Sequence, residues 1–386
     1  MRSSVQNRAL LALMLSVLVF CVLRALIPHR ALGDLRVYRA EGMAMRNNMN
    51  LYAHLAGVHG AATYPTFAAL IFVILTPFPI APLQVLSIVS NLLILLYVCR
   101  ASCHLVGIHG RQALVPSCVL AAGALWSEPV FTTFAYGQIN LVLLALIIWD
   151  FTLAQDSRLR GVGTGLAAAM KVTPAILILY LLITRRFRAA VTAGCTFGAS
   201  LVVSAVANPQ GTWSYWTKYL FDLHRTGRLE NAVNQSVRGM LVRVDHTRHT
   251  GPTELGLVLV VLVLGFICAW AAYRTLGEEW GLPACAVTGL LVSPISWSHH
   301  WVWCIPIAAL LWFRARAWLF PTVAIFSSYV VLAVPHVRPK DLHFTTVQIA
   351  LSGWYVLFGL GFLALTAWRV LCAQRNATTA NLALLI

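Results

Sequence analysis

Apolar runs of spanning or near-spanning length recur along the whole chain, the first from Ala9 to Ile27 and the rest at about 83–99, 113–127, 138–154, 161–184, 188–207, 255–273, 282–297, 301–313, 317–334 and 345–368. Polar positions collect between them, in two longer segments at 28–63 and 208–254 and a shorter one at 335–344. A helix crosses the roughly 30 Å hydrocarbon core with about 20 apolar residues. The pattern therefore predicts an all-α, polytopic integral membrane protein, a single membrane domain over residues 1–386 with a bundle of about 10–12 transmembrane helices.

Two stretches break the pattern. Lys171-Val172-Thr173-Pro174 places a charge and a proline inside 161–184, which predicts a hairpin of two short helices rather than one span. Tyr64 to Pro79 is too short and proline-rich to cross, so it is expected to lie along or dip into the outer face. Residues 28–82 then form a first extracytoplasmic segment with a membrane-dipping helix, and 208–254 a large extracytoplasmic loop. The count becomes ten full crossings plus one broken hairpin. Arg2 and Arg8 precede the first run, which is expected to stay as a signal anchor.

Composition narrows the class. Of 386 residues 59% are hydrophobic and only 10% charged, and the mean hydropathy is +0.77. Disorder needs the opposite balance, and a nucleic-acid binder would gather its basic charge on a soluble surface. The nine cysteines show no metal-ligand spacing and read as small hydrophobes.

The net charge of +16 is carried by arginine, 25 of the 28 basic residues. With both termini in the cytoplasm, Arg100/Arg111, Arg158/Arg160, Arg185/Arg186/Arg188, Arg274, Arg314/Arg316 and Arg369/Arg375 all fall in inner loops, an ordinary positive-inside signal. Topology does not explain the outer ones: Arg30, Arg36, Arg39 and Arg46, then Lys218, Arg225, Arg228, Arg238, Arg243 and Arg248. Lipid headgroups or Glu41, Asp222, Glu230 and Asp245 could pair with them. Collectively they suit an anionic ligand, because guanidinium matches phosphate geometry.

Six polar constellations converge on the same outer face: Gly33-Asp34-Leu35-Arg36-Val37-Tyr38, Tyr64-Pro65, Gly137-Gln138-Ile139-Asn140, Lys171-Val172-Thr173-Pro174, Asn234-Gln235-Ser236-Val237-Arg238 and Ser293 to Trp301 with Trp297, His299 and His300. Each has an ordinary structural reading. Gln138 and Asn140 could join helices, Lys171 could snorkel, and the tryptophans could form an interfacial belt. Asp34 stands apart, just beyond a span and flanked by Arg30, Arg36 and Arg39, which are expected to keep it ionised.

In their order, these motifs resemble glycosyltransferase family 87, the polyprenyl-phosphate-mannose-dependent alpha-(1,2)-mannosyltransferases of actinobacteria in the glycosyltransferase C superfamily. The resemblance covers about residues 33 to 303. It implies a glycosyltransferase C-like fold in the plasma membrane, with the active site on the extracytoplasmic face. It also implies inverting transfer of mannose from polyprenyl-phosphate-mannose to a cell-envelope glycolipid or glycan such as a phosphatidylinositol mannoside, lipomannan or lipoarabinomannan. Asp34 matches the family's catalytic aspartate and would be the base, with His299 or His300 at the reacting centre. Arg36, Lys171, Arg238 and Tyr64 are expected at the donor phosphate, and Gln138, Asn140, Asn234, Gln235 and Trp297 at substrate.

No second carboxylate adjoins Asp34, so no metal and no cofactor is expected beyond the donor substrate. The expected partners are the polyprenyl-phosphate sugar, an anionic glycolipid acceptor and the membrane, with no nucleic acid, and the protein is expected to act as a monomer. Two alternatives stay open: an arabinosyltransferase of the same fold using polyprenyl-phosphate-arabinose, and a lipid-linked sugar flippase. The one-sided clustering of polar groups, with no inverted repeat, favours an enzyme over the flippase.

Overall fold

The computed structural model describes residues 2–26, 32–53, 61–248, 251–335 and 342–383; Arg30 lies outside them. Among the described residues there is no β-strand, only an isolated bridge between Asn234 and Trp297. In chain order the helices are α1 (Arg2–Leu26), α2 (Gly33–Arg46), α3 (Thr66–Phe72), α4 (Ile80–Leu105), α5 (Leu114–Ala124), α6 (Glu128–Tyr136), α7 (Asn140–Thr152), α8 (Val162–Met170), α9 (Ile176–Ile183) and α10 (Phe187–Ala207). They continue with α11 (Pro209–Ser214), α12 (Leu223–Thr226), α13 (Val237–Val244), α14 (Pro252–Thr275), α15 (Glu278–Val292), α16 (Cys304–Arg314), α17 (Leu319–Ser327), α18 (Val330–Ala333), α19 (Thr346–Ser352) and α20 (Trp354–Ala383).

Six stretches among the described residues are long and apolar enough to cross a membrane: Val5–Leu23, Ile80–Leu105, Phe187–Ala207, Pro252–Thr275, Arg316–Ala333 and Trp354–Thr379. Gly110–Ala124 and Glu128–Tyr136 together would make a seventh, bent by 69°. The ten full crossings expected are not reached on this measure, because several apolar runs fold as shorter helices. One is α7, 13 residues long, with Asn140 at its start. The long helices expose apolar side chains such as Met14, Leu93, Val206 and Leu264, as faces in contact with lipid should.

The break at Lys171 is found. Met170 ends α8, Lys171 is extended at φ −151° and ψ 127°, and Pro174 sits in a 3-10 turn leading into α9. The pair is a hairpin, because its two ends meet at one carboxylate. Arg160, just before α8, approaches Glu278 at 3.6 Å, and Arg186, just after α9, forms an ion pair and hydrogen bond with it. Tyr180 on α9 adds a 2.8 Å hydrogen bond to the same side chain. Close packing lets α8 enter: a Cβ at Gly163 would collide with the Leu146 carbonyl of α7, and one at Gly165 with the Ala193 carbonyl of α10, the small-residue contact usual between membrane helices.

Helices α7, α8, α9, α15 and α16 thus run between two polar layers. One holds Arg160, Arg186 and Glu278, with Glu279 paired to Arg314 at 3.3 Å. Fifteen-residue α15 rises about 22 Å at 1.5 Å per residue to the other layer, where Asn140 and Lys171 lie. Asp150 belongs to the first layer. It accepts from the Gly161 and Thr164 backbone and from the Thr164 hydroxyl, capping the start of α8.

The 64–79 segment does not cross. It folds as α3 and a 3-10 turn packed under α2, so closely that a Cβ at Gly42 would strike the Phe72 carbonyl. Arg39 donates to the carbonyls of Phe78 at 3.0 Å and Thr76 at 3.4 Å, and Arg46 to the Thr76 hydroxyl at 3.2 Å. Two of the unexplained outer arginines therefore tie α2 to the end of this segment.

Candidate active site

Asp34, Tyr38 and Glu41 share one face of α2 at i, i+4 and i+7, and this face walls a cavity of about 430 Å³. The opposing wall carries Tyr64, Gln138, Lys171, Arg225, Trp297, His299 and His300. Side chains from six separate parts of the chain therefore meet at one place.

Gly137 brings the first pair together. It ends α6 in the left-handed conformation at φ 68°, which glycine adopts without strain, and a Cβ there would lie 2.8 Å from that of Leu35. The following residue, Gln138, donates its side-chain amide to Asp34 Oδ2. The Gln138 oxygen accepts from Tyr38 at 2.8 Å, and from Tyr64 and Asn140 at 3.4 Å each. These three donors fix which way the amide points, so its NH₂ can only face the carboxylate.

Lys171, at the tip of the α8–α9 hairpin, donates to Asn140 Oδ1 at 3.2 Å and lies 2.8 Å from His300 Nε2. An ammonium has only donors, so His300 must accept at Nε2 and carry its own proton on Nδ1. The ammonium also sits 5.3 Å from the Tyr64 ring centroid, within cation–π range. His299 differs from His300: its ring packs edge-on to Tyr136 and His300 at 5.9 and 4.9 Å, and its Nε2 is buried with no hydrogen-bond partner.

Burial raises the Asp34 carboxyl above its ordinary value, while the Gln138 hydrogen bond and the Lys171 charge pull it down. The expectation that arginines hold Asp34 ionised is corrected here. Arg36 is solvent-exposed on the helix and Arg39 binds carbonyls. Position in the first turn of α2 also favours the anion. A carboxylate whose proton affinity is raised but whose anion is still supported is suited to general-base work.

Several other expected site residues do not reach the cavity. Arg36 and Arg238 are not on its walls. Asn234 and Gln235 are fully buried, and their amides serve the backbone. Asn234 donates to Leu229 and Pro294 carbonyls at 3.0 and 3.2 Å and accepts from Ser296 N at 2.9 Å. Gln235 donates to Ala232 and Ser352 and accepts from Tyr355 N at 3.0 Å. They hold the Ser293–Trp301 segment in place instead of touching substrate. Asn140 lies one step behind the wall, holding Gln138 and Lys171.

The large loop is mostly structural too. Arg248 and Arg228 reach Glu230 at 3.0 and 3.7 Å, and Arg243, fully buried, donates to the carbonyls of Asn231, Asn234 and Ser352. Among the described basic residues of this loop, Arg225 alone lines the cavity. The sequence does not single out Glu41 and Arg225 as site residues, although the i+7 spacing from Asp34 would have marked Glu41. It does not single out Glu128 either. Fully buried, Glu128 accepts from Thr132, Ser298 and Tyr355 at 2.7–2.8 Å and so anchors the residue before His299.

A second cavity of about 410 Å³ shares Tyr64, Lys171 and His300 with the first and is lined otherwise by largely apolar side chains, including Ile176, Tyr215, Leu220 and Ile295. Carboxyl groups, a lysine and two histidines facing one cavity, in a bundle with membrane-length helices, suit an integral-membrane enzyme. Sequence comparison gives the family: residues 62–294 match glycosyltransferase family 87, and the chain belongs to it.

The chain is 32% identical over 317 residues to the polyprenol-phosphate-mannose-dependent alpha-(1-2)-phosphatidylinositol mannoside mannosyltransferase of Mycobacterium tuberculosis (strain ATCC 25618 / H37Rv), covering 75% of this chain and 72% of that one. It is 33% identical over 311 residues to the corresponding pentamannoside mannosyltransferase of M. tuberculosis (strain CDC 1551 / Oshkosh), covering 79% and 71%. A phosphatidylinositol mannoside mannosyltransferase of Mycolicibacterium smegmatis (strain ATCC 700084 / mc(2)155) is 31% identical over 392 residues, covering 92% and 79%. No solved structure matches the chain.

Proposed function

We propose that this glycosyltransferase moves mannose from polyprenyl-phosphate-mannose to a phosphatidylinositol mannoside-type acceptor, forming an alpha-(1,2) linkage with inversion. The observation that carries the reading is the facing of Asp34, oriented by Gln138, and the Lys171–His300 pair across one cavity. The names of the relatives supply donor and acceptor class.

The acceptor hydroxyl attacks the anomeric carbon while the bond from that carbon to the phosphate oxygen breaks. Asp34 takes the hydroxyl proton. The phosphate leaves with the bonding pair, and the Lys171 ammonium meets its developing charge, as a preorganised cation in a poorly hydrated site should. His299, with Nε2 unpartnered, is available to a substrate oxygen. The prenyl chain passes into the second chamber, past Tyr64 and Pro65 and along Ile176, Leu220 and Ile295. The protein works without a divalent metal, since a lipid monophosphate carries less charge than a nucleotide diphosphate and Lys171 can offset it.

The site faces the extracytoplasmic side and both termini lie in the cytoplasm. Support comes from the gathering of Arg160, Arg186 and Arg314 in the layer opposite the cavity, which the positive-inside rule assigns to the cytoplasm. The protein acts as a monomer, because one chain supplies every group named. Purified protein given radiolabelled polyprenyl-phosphate-mannose and a panel of phosphatidylinositol mannosides tests the reading. Label in an alpha-(1,2)-mannosylated lipid supports it; label accepted only from polyprenyl-phosphate-arabinose, or none transferred, rejects it.

A further inference from the structure

Glu41 is the least expected group in the cavity wall. It is 1% exposed, its Oε1 has no hydrogen-bond partner, and no described side chain neutralises it at contact distance. Leaving a carboxyl group buried and without a hydrogen-bond partner is costly, so its retention calls for something that binds it. Arg225 faces the same space. One guanidinium nitrogen is fixed by the carbonyls of Tyr52 and Ala62 at 3.0 and 3.2 Å, the plane lies 4.5 Å from the Tyr219 ring centroid, and Nε is buried without a partner. An anchored arginine with an unused N–H and a carboxylate with an unused oxygen together offer both donor and acceptor positions.

The charges divide the cavity in two. Lys171 acts electrostatically on Asp34 and Arg225 on Glu41. Seven residues along α2 set the backbone positions of Asp34 and Glu41 about 10 Å apart along the helix at 1.5 Å per residue, about the span of two adjoining sugar units. The Lys171 end is occupied by the donor phosphate on the mannosyltransferase reading, on which this inference rests. What lies at the other end is then the acceptor.

We propose that Glu41 and Arg225 form the acceptor-sugar subsite, with the Glu41 carboxyl hydrogen-bonding hydroxyls of the acceptor's non-reacting sugar and Arg225 donating to its oxygens. Tyr52, stacked on Tyr215 and Tyr219 at 5.8 and 4.8 Å, braces the arginine from behind. Glu41 is a substrate-binding and specificity-determining residue, and takes no proton in the transfer.

Two measurements on the full-length protein in nanodiscs test this: steady-state transfer at varied donor and acceptor, and binding of phosphatidylinositol dimannoside against unmannosylated phosphatidylinositol by tryptophan fluorescence. Because no described protein group depends on the Glu41 carboxylate, Glu41→Gln and Glu41→Leu should fold. Both are expected to raise the acceptor KM and weaken dimannoside binding by on the order of ten- to a hundredfold, leaving the donor KM within about twofold. Transfer by the parent with an unchanged acceptor KM in both variants overturns the subsite while the mannosyltransferase reading stands. Dimannoside binding that depends on Glu41, in a protein that transfers no mannose, keeps the subsite and removes that reading. If the parent does not prefer the dimannoside to phosphatidylinositol, the subsite is wrong whatever the transfer result.

Discussion

Gln138 donates its amide to Asp34, 104 residues earlier in the chain, and its oxygen is held by Tyr38, Tyr64 and Asn140. The carboxylate is thus aimed by a residue that has no freedom of its own.

Removing that donor should change the pH profile as well as the rate. The Gln138 hydrogen bond lowers the Asp34 proton affinity against the effect of burial, so in Gln138→Leu the carboxyl rises further. A base must be ionised, hence the acid limb of kcat/KM moves to higher pH, and kcat falls by about ten- to a hundredfold through misorientation. A pH–rate profile of the two proteins checks both; an unmoved limb means Gln138 does not touch the base in the working enzyme.

Glu41 predicts an unusual stability signature. Burial first, then the Asp34 charge, raise its carboxyl from 4.5 to about 8, against the pull of Arg225. The folded state therefore holds a proton that the unfolded chain releases, and stability falls as pH climbs from about 4.5 through about 8. Glu41→Gln removes this loss. Its melting temperature should match the parent's near pH 5 and exceed it by a margin that grows up to about pH 8, as expected where a binding group is kept at a cost in stability.

Much of this site is legible in the amino-acid order. Asp34, Lys171, His299 and His300 stand out because a charge or imidazole beside apolar runs needs a reason. The helix break at Lys171 follows from Pro174. Glu41 and Arg225 are hidden for the converse reason: both lie in polar segments where charges are ordinary, and only long-range packing of α2 against the 208–254 loop buries one and aims the other. Asn234 and Gln235 mislead because motif residues can serve backbone carbonyls as readily as ligands. Runs such as 138–154 fold as helices shorter than a standard span because they contain a polar start, Asn140, that belongs to the site.

On the opposite layer, Glu278 holds the two ends of the hairpin that carries Lys171. Its removal leaves Arg160 and Arg186, 5% and 8% exposed, as uncompensated buried cations, at about 3–5 kcal/mol. Glu278→Ala should unfold at markedly lower temperature or denaturant than the parent.

Treatment with EDTA should leave transfer at its starting rate, and added magnesium or manganese should not raise it. Loss of activity restored by a divalent cation would show that Lys171 and His300 do not suffice at the phosphate.

The base assignment to Asp34 is the centre of the account, and single-turnover transfer of mannose by Asp34→Asn tests it most directly. Asparagine keeps the shape and can still pair with Gln138 but cannot take the proton. With folding confirmed by an unchanged melting profile, the account predicts a rate lower by about 10²–10⁴ with donor binding retained; transfer at the parental rate would contradict it.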